Sequence, residues 1–197
     1  MGCLSPILTL NKPIVKHKKN IMKSFIFIII LLTTMTSNII FDFNKNVNIK
    51  DWVIIDDVVM GGKSSGSFEL SPEGYGEFKG YISLDNNGGF SSLRYKFDRK
   101  SITEFTKIIL TIKGDTKKYQ FRIKSNSSDY YSYISTFSTN GEWQEIQIPL
   151  KSMTTSFRGR KLDKSNFSND QIEEIAFLIG NKQEEIFQLL IDKIELK

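Results

Sequence analysis

KIILTIKGDTKKYQFRIKS, residues 107–125, alternates apolar and polar side chains on either side of a Gly-Asp-Thr turn. Ile108, Leu110 and Ile112 share one face of the first half, and Tyr119, Phe121 and Ile123 share one face of the second. A half-buried strand requires this period of two. The same period extends in both directions. In YGEFKGYISL, residues 75–84, Phe78, Ile82 and Leu84 oppose Glu77, Lys79 and Ser83. Further strands are expected at YYSYISTF (130–137), EWQEIQIPL (142–150), EEIAFLIG (173–180) and FQLLIDKIEL (187–196), separated by turns such as KSNSSD (124–129) and STNGE (138–142). Helical patterning is confined to SITEFT (101–106) and NFSNDQIEE (166–174), where a turn or two is expected, the second capped by Ser168 or Asn169. Many short strands with no internal repeat and no dividing linker imply an all-β domain. A jelly-roll β-sandwich is expected, with a closed barrel as its rival.

The chain has 197 residues, 40% of them hydrophobic, which suffices for one core. Its net charge of +5 is localised. Residues 1–41 contain Lys12, Lys16, Lys18, Lys19 and Lys23 and no acid; taking these five from the 27 basic residues leaves 22, against 22 acidic. The body is therefore neutral and has no nucleic-acid footprint.

The basic stretch runs into FIFIIILL (25–32) and then TTMTSN (33–38), the order of a secretory signal. An uncleaved anchor over residues 25–41 is the alternative, at the short edge of a membrane span. Thr33, Thr34, Thr36, Ser37 and Asn38 interrupt the run and favour cleavage. The expected organisation is an N-terminal extension over 1–40, with Met22 as an alternative start, and one domain over 41–197. That domain would be exported to the periplasm or cell envelope, or anchored through 25–41 and facing outside. Cys3 and His17 are the only cysteine and histidine, and both precede the apolar run. The body then has no disulfide, no Cys or His metal site, no Ser-His-Asp triad, no Cys-His dyad and no histidine base. No metal and no cofactor are expected.

DDVVMGGKSSG (56–66) contains Gly62-Lys63-Ser64, the second half of a P-loop. Asp57 stands where the first glycine belongs, and SGSFELSPEGYG follows where a helix should start, so no nucleotide is expected. Gly61 and Gly62 instead read as a strand corner, as do Gly88 and Gly89 in DNNGGFSSLR (85–94), and Gly114 as part of a turn.

DWVIIDDVVMGGKSSG (51–66), GYISLDNNGGFSSLR (80–94), TIKGDTKKYQFRI (111–123), GEWQEIQIPL (141–150), SFRGRKL (156–162) and FLIGNKQEEIFQLLIDKIEL (177–196) resemble, in order, the complex I intermediate-associated protein 30 family. The two glycine corners together make the resemblance specific. It implies a galactose-binding-domain-like jelly roll related in fold to carbohydrate-binding modules. It also implies a non-enzymatic role, which in mitochondrial members is assembly of NADH:ubiquinone oxidoreductase. Nothing in the chain resembles a mitochondrial transit peptide.

The candidate binding residues are Asp56, Asp57, Asn87, Arg94, Arg122, Trp143, Arg158 and Arg160. Asp56 and Asp57 as a carboxylate pair for glycoside hydrolysis are disfavoured, because strand neighbours point to opposite faces. One is expected to cap the turn and the other to pair with a base such as Arg94. A calcium site from Asp56, Asp57, Asp85 and Asn86 has the right oxygen chemistry but no loop signature. Tyr131, Tyr133 and Phe137 share a face opposite Tyr130, so one set belongs to the core and the other is available to a ligand. Trp143 is expected in the core. Arg158, Arg160 and Lys161 around Gly159 form either a solvated basic loop or a grip for a carboxylate or phosphate; the family resemblance keeps Arg158 and Arg160 among the candidates. The leading expectation is a non-catalytic binding or assembly protein for a protein or glycan partner. The alternatives are a carboxylate-based glycan-active enzyme using Asp56, Asp57 or Asp85, and a true complex I assembly factor.

Overall fold

The period-two segments become strands. The computed structural model describes residues 1–2 and 38–197, and residues 38–197 form one compact unit with thirteen strands and no α-helix. In chain order they are β1 (Ile39–Asp42), β2 (Trp52–Asp56), β3 (Ser65–Leu70), β4 (Gly76–Ile82), β5 (Ser91–Ser101), β6 (Lys107–Gly114) and β7 (Lys118–Lys124). They continue with β8 (Ser132–Ser138), β9 (Trp143–Pro149), β10 (Thr154–Phe157), β11 (Arg160–Lys161), β12 (Gln171–Ile179) and β13 (Glu185–Leu196). One six-stranded sheet has the order β3-β4-β13-β6-β9, with β1 also paired to β13; a seven-stranded sheet has the order β11-β10-β8-β7-β12-β5-β2. Every pairing is antiparallel. Two separate sheets make a jelly-roll sandwich and set the barrel aside.

The opening stretch supplies one strand to each sheet. β6 lies in the six-stranded sheet and β7 in the seven-stranded one, so the link at 115–117 crosses the sandwich. Asp115 anchors the crossing by accepting hydrogen bonds from the Tyr119 hydroxyl (2.8 Å), Lys117 Nζ (2.7 Å) and the Gln188 amide (2.9 Å). Ile108, Leu110, Ile112, Tyr119, Phe121 and Ile123 are all buried between the sheets, each stabilising the fold by roughly 1.5–3 kcal/mol.

Trp52 closes one end of the core. It stacks on Tyr95 with centroids 4.8 Å apart, and Phe41 meets it edge-on at 5.2 Å. Phe41 thus ends the N-terminal apolar run inside the core, and Ile39–Phe41 are strand, pairing with Ile194 and Glu195. The last residues of the 25–41 segment are therefore committed to the sheet; the proposed signal at 25–32 lies outside the described residues. Among the described residues no helix is long and apolar enough to cross a membrane.

Three local expectations need correction. NFSNDQIEE is not helical: residues 166–170 are irregular, and from Gln171 the chain is β12, paired with β5 and, from Glu174, also with β7. Sheet pairing and the burial of Ile172 outweigh the weak helical pattern. SITEFT forms only a tight turn, closed by the Phe105 amide on the Ile102 carbonyl at 3.0 Å. Leu84 does not continue the Phe78 and Ile82 face, because β4 stops at Ile82 and the chain turns, leaving Leu84 41% exposed.

Candidate functional site

The two glycine corners fold against each other around one carboxylate. Asp57 is fully buried. It accepts hydrogen bonds from the Ser64 amide (3.0 Å), the Ser64 hydroxyl (2.5 Å), the Gly89 amide (2.5 Å) and the Phe90 amide (3.2 Å). Burial alone would raise its pKa; the Ser64 hydroxyl, then the Gly89, Phe90 and Ser64 amides, outweigh it and hold the group below its ordinary value. The Ser64 hydroxyl oxygen in turn accepts from the Ser83 amide at 3.0 Å. Asn86 Nδ2 donates to the Gly61 carbonyl at 2.9 Å, and Lys63 Nζ meets Asp85 at 2.8 Å.

The four corner glycines have two different reasons to be glycine. Gly61 and Gly89 have φ of +90° and +123°, as expected of turn glycines. Gly62 and Gly88 lie outside that region, and there space decides. A Cβ on Gly62 would sit 2.2 Å from Asp57 Oδ1, and one on Gly88 2.6 Å from Asp57 Oδ2. Gly114 is likewise a packing glycine at the end of β6, not a turn residue, since a Cβ would meet Thr139 at 2.4 Å. Asn86 and Asn87 take φ of 55° and 60°, a left-handed conformation that asparagine tolerates.

This geometry assigns the corner to architecture. Asp57 offers no free carboxylate oxygen to a cation or a glycosidic bond. Asp56 accepts from the Gly66 amide at 2.9 Å and pairs across the ladder with Ser91. Neither aspartate forms an ion pair with Arg94 among the described residues, contrary to expectation. Arg94 is the fourth residue of β5 and projects from the opposite face to the core residue Leu93.

The sequence candidates that the fold does bring together are Arg94 and Arg122. Ladder register aligns Val53, Arg94, Ala176, Arg122 and Ile134 in one row across β2, β5, β12, β7 and β8. The next row holds Ile55, Ser92, Leu178, Gln120 and Thr136, and on the other side lie Lys96, Glu174 and Lys124. These side chains point away from the core. Glu174 sits between Lys96 Nζ at 4.0 Å and Lys124 Nζ at 3.8 Å. Arg122 donates through Nε and Nη2 to Gln120 Oε1 at 3.1 and 2.7 Å. Burial, then the neighbouring Arg94 charge, lower the Arg122 pKa to about 10. Neither arginine has a carboxylate partner among the described residues. Gln120 and Ala176 carry no sequence signal of this kind, because their place beside the arginines depends on cross-strand register.

The other candidates are dispersed. Arg158 (φ 49°) and Gly159 (φ 75°) are the two-residue link between the paired Phe157 and Arg160, a type I′ hairpin. Arg158 lies over the Phe157 ring at 5.3 Å, and Arg160 is exposed. Arg158→Asn is expected to raise stability by about 0.5–1 kcal/mol, read by thermal melting, because asparagine enters the left-handed region more easily than arginine. Trp143 is not in the core: at 38% exposure it packs on Tyr75, centroids 4.5 Å apart. Tyr133 and Phe137 are core residues, Tyr131 is half-buried beneath Lys164, and Tyr130 is 61% exposed.

Comparison with known proteins places this geometry. The chain is similar to the family 11 carbohydrate-binding module of the cellulosomal cellulase Lic26A-Cel5E of Clostridium thermocellum, with a TM-score of 0.61 and 22% identity over 81% of this chain and 93% of that one. A Clostridium thermocellum module of the same family, in complex with a β-1,3-1,4-mixed-linked tetrasaccharide, gives a TM-score of 0.58 at 20% identity, covering 79% and 94%. An exo-β-agarase matches at a TM-score of 0.54 and 11% identity, over 82% of this chain and 25% of that chain. These likenesses establish the fold. By sequence, the chain is 24% identical over 186 residues to the mitochondrial complex I intermediate-associated protein 30 of Drosophila melanogaster, covering 82% of this chain and 63% of that protein's length. The model of the same family matches residues 41–191. The chain belongs to the complex I intermediate-associated protein 30 family.

Proposed function

We propose that this chain is a non-catalytic binding protein that holds a protein partner on the outer face of the seven-stranded sheet. The observation behind this reading is the make-up of that face. Its paired rows present arginine, lysine, glutamate, glutamine, serine, threonine and aliphatic side chains and no aromatic ring. A sugar ring gains most of its contact area by packing on an aromatic plate, whereas a polypeptide needs hydrogen bonds and paired charges. The corner carboxylates do not offer a competing catalytic site, because Asp57 is enclosed by its donors and Asp85 is held by Lys63. Pull-down from envelope fractions, with amide-shift mapping of the recovered partner onto this chain, tests the proposal. Shifts on β5, β7 and β12 are expected; failure to recover any specific partner would sink it.

Glycan binding is the second reading, favoured by the likeness to family 11 carbohydrate-binding modules. A glycan array distinguishes the two: a specific neutral-oligosaccharide signal would replace the protein partner. The location we infer is outside the cytoplasm, from the apolar segment at 25–32 and the compact unit that begins at Asn38. Sequencing of the mature N-terminus should give a start near Asn38. Retention of the whole extension in a cytoplasmic protein would instead favour assembly of respiratory complex I.

A further inference from the structure

We propose that Arg94 and Arg122 form a subsite that takes a carboxylate from an acidic segment of a protein partner. This deepens, and rests on, the reading of the outer face as the contact surface. The two residues flank Ala176 from the strands on either side of β12 in one ladder row, which puts their backbones roughly 10 Å apart. Two arginine side chains of that reach close readily on one carboxylate above the small, covered Ala176 between them. Two like charges share a half-buried position, and the single carboxylate on the paired rows, Glu174, is already held by Lys96 and Lys124.

The surrounding groups are arranged as a ligand site would need. Gln120 fixes the Arg122 guanidinium through Nε and Nη2 and leaves Nη1 to donate elsewhere. Ser92 stands two residues from Arg94 on the same face. Its hydroxyl is buried and has no partner among the described residues. An arriving carboxylate would accept from both guanidinium groups and relieve their mutual repulsion. The absence of a stacking ring in these rows favours an acidic peptide over an acidic sugar.

The test is fluorescence anisotropy of a labelled decaglutamate peptide with the full chain, at low and physiological salt. Arg94→Gln and Arg122→Gln should each weaken binding by about tenfold or more, since each removes a charge-assisted pair. Arg122→Lys should retain part of the affinity, and Lys107→Gln on the other sheet all of it. Melting temperatures of the two glutamine variants should stay level or rise, as repulsion is relieved. Equal affinity in these variants would overturn the subsite, and a fall in melting temperature without loss of affinity would make the pair structural. Tighter binding of polygalacturonate than of decaglutamate would reassign it to an acidic glycan. If decaglutamate fails but a protein partner still shifts β5, β7 and β12, the face survives and the carboxylate subsite falls. Shifts elsewhere would remove both.

Discussion

Asp57→Asn will destabilise the domain by roughly 2–4 kcal/mol, because a buried acceptor serving several donors is replaced by a group with one acceptor oxygen and its own N–H bonds. Three of the four donors are backbone amides that have no other partner to turn to within the corner. For a domain of this size the loss corresponds to roughly 2–4 °C of melting temperature per kcal/mol. The effect carries a pH signature. The folded-state pKa of Asp57 is lowered, so its contribution is complete above the unfolded value near pH 4 and is lost as pH falls through the folded value. Wild type should therefore exceed the asparagine variant by the full margin at neutral pH, and the difference should shrink in acid. Urea titrations of both proteins across that range measure it; a constant margin would show that the carboxylate is not what joins the corners.

Gly62→Ala should cost as much or more, about 3–5 kcal/mol, since the new methyl cannot coexist with an anchored carboxylate 2.2 Å away. Gly61→Ala has nothing within 4 Å and meets only the conformational cost of positive φ, about 1–2 kcal/mol. The neighbouring glycines thus separate space from conformation. In an Asp57→Ala background the cost of Gly62→Ala should fall but not vanish, because the 2.2 Å clash with Oδ1 is gone while the Cβ of residue 57 stays 2.9 Å from the new methyl, and a double-mutant cycle should read a clear coupling. Gly61→Ala should cost the same in either background. Additivity at Gly62 would mean that some other contact requires the glycine.

What the sequence made legible is what repeats locally. Alternation at Ile108, Leu110 and Ile112 and at Tyr119, Phe121 and Ile123 reports burial on one face of each strand, and both faces are buried as read. Whether β6 and β7 share a sheet is a property of distant pairings, with β13 and β12, that no turn residue encodes. Positive φ at Gly61 and Gly89 follows from a glycine pair in a corner. The reason for Gly62 and Gly88 is the carboxylate of Asp57, which reaches them only through tertiary folding. Trp143 shows the same division: the expected core position fails because alternation along β9 sets it opposite the buried Ile148, and its packing on Tyr75 depends on tertiary folding. Arg94 and Arg122 were separate candidates 28 residues apart; their alignment depends on Ala176, far along the chain, lying between them in register.

On the proposed reading the corner and the outer face divide the labour: the first holds the fold and the second meets the partner. A backbone amide-shift map of the full chain titrated with decaglutamate tests this division most directly. Shifts should concentrate at 92–96, 120–124 and 174–178, along β5, β7 and β12. Shifts confined to 57–64 and 85–90, around Asp57 and the glycines, would contradict it.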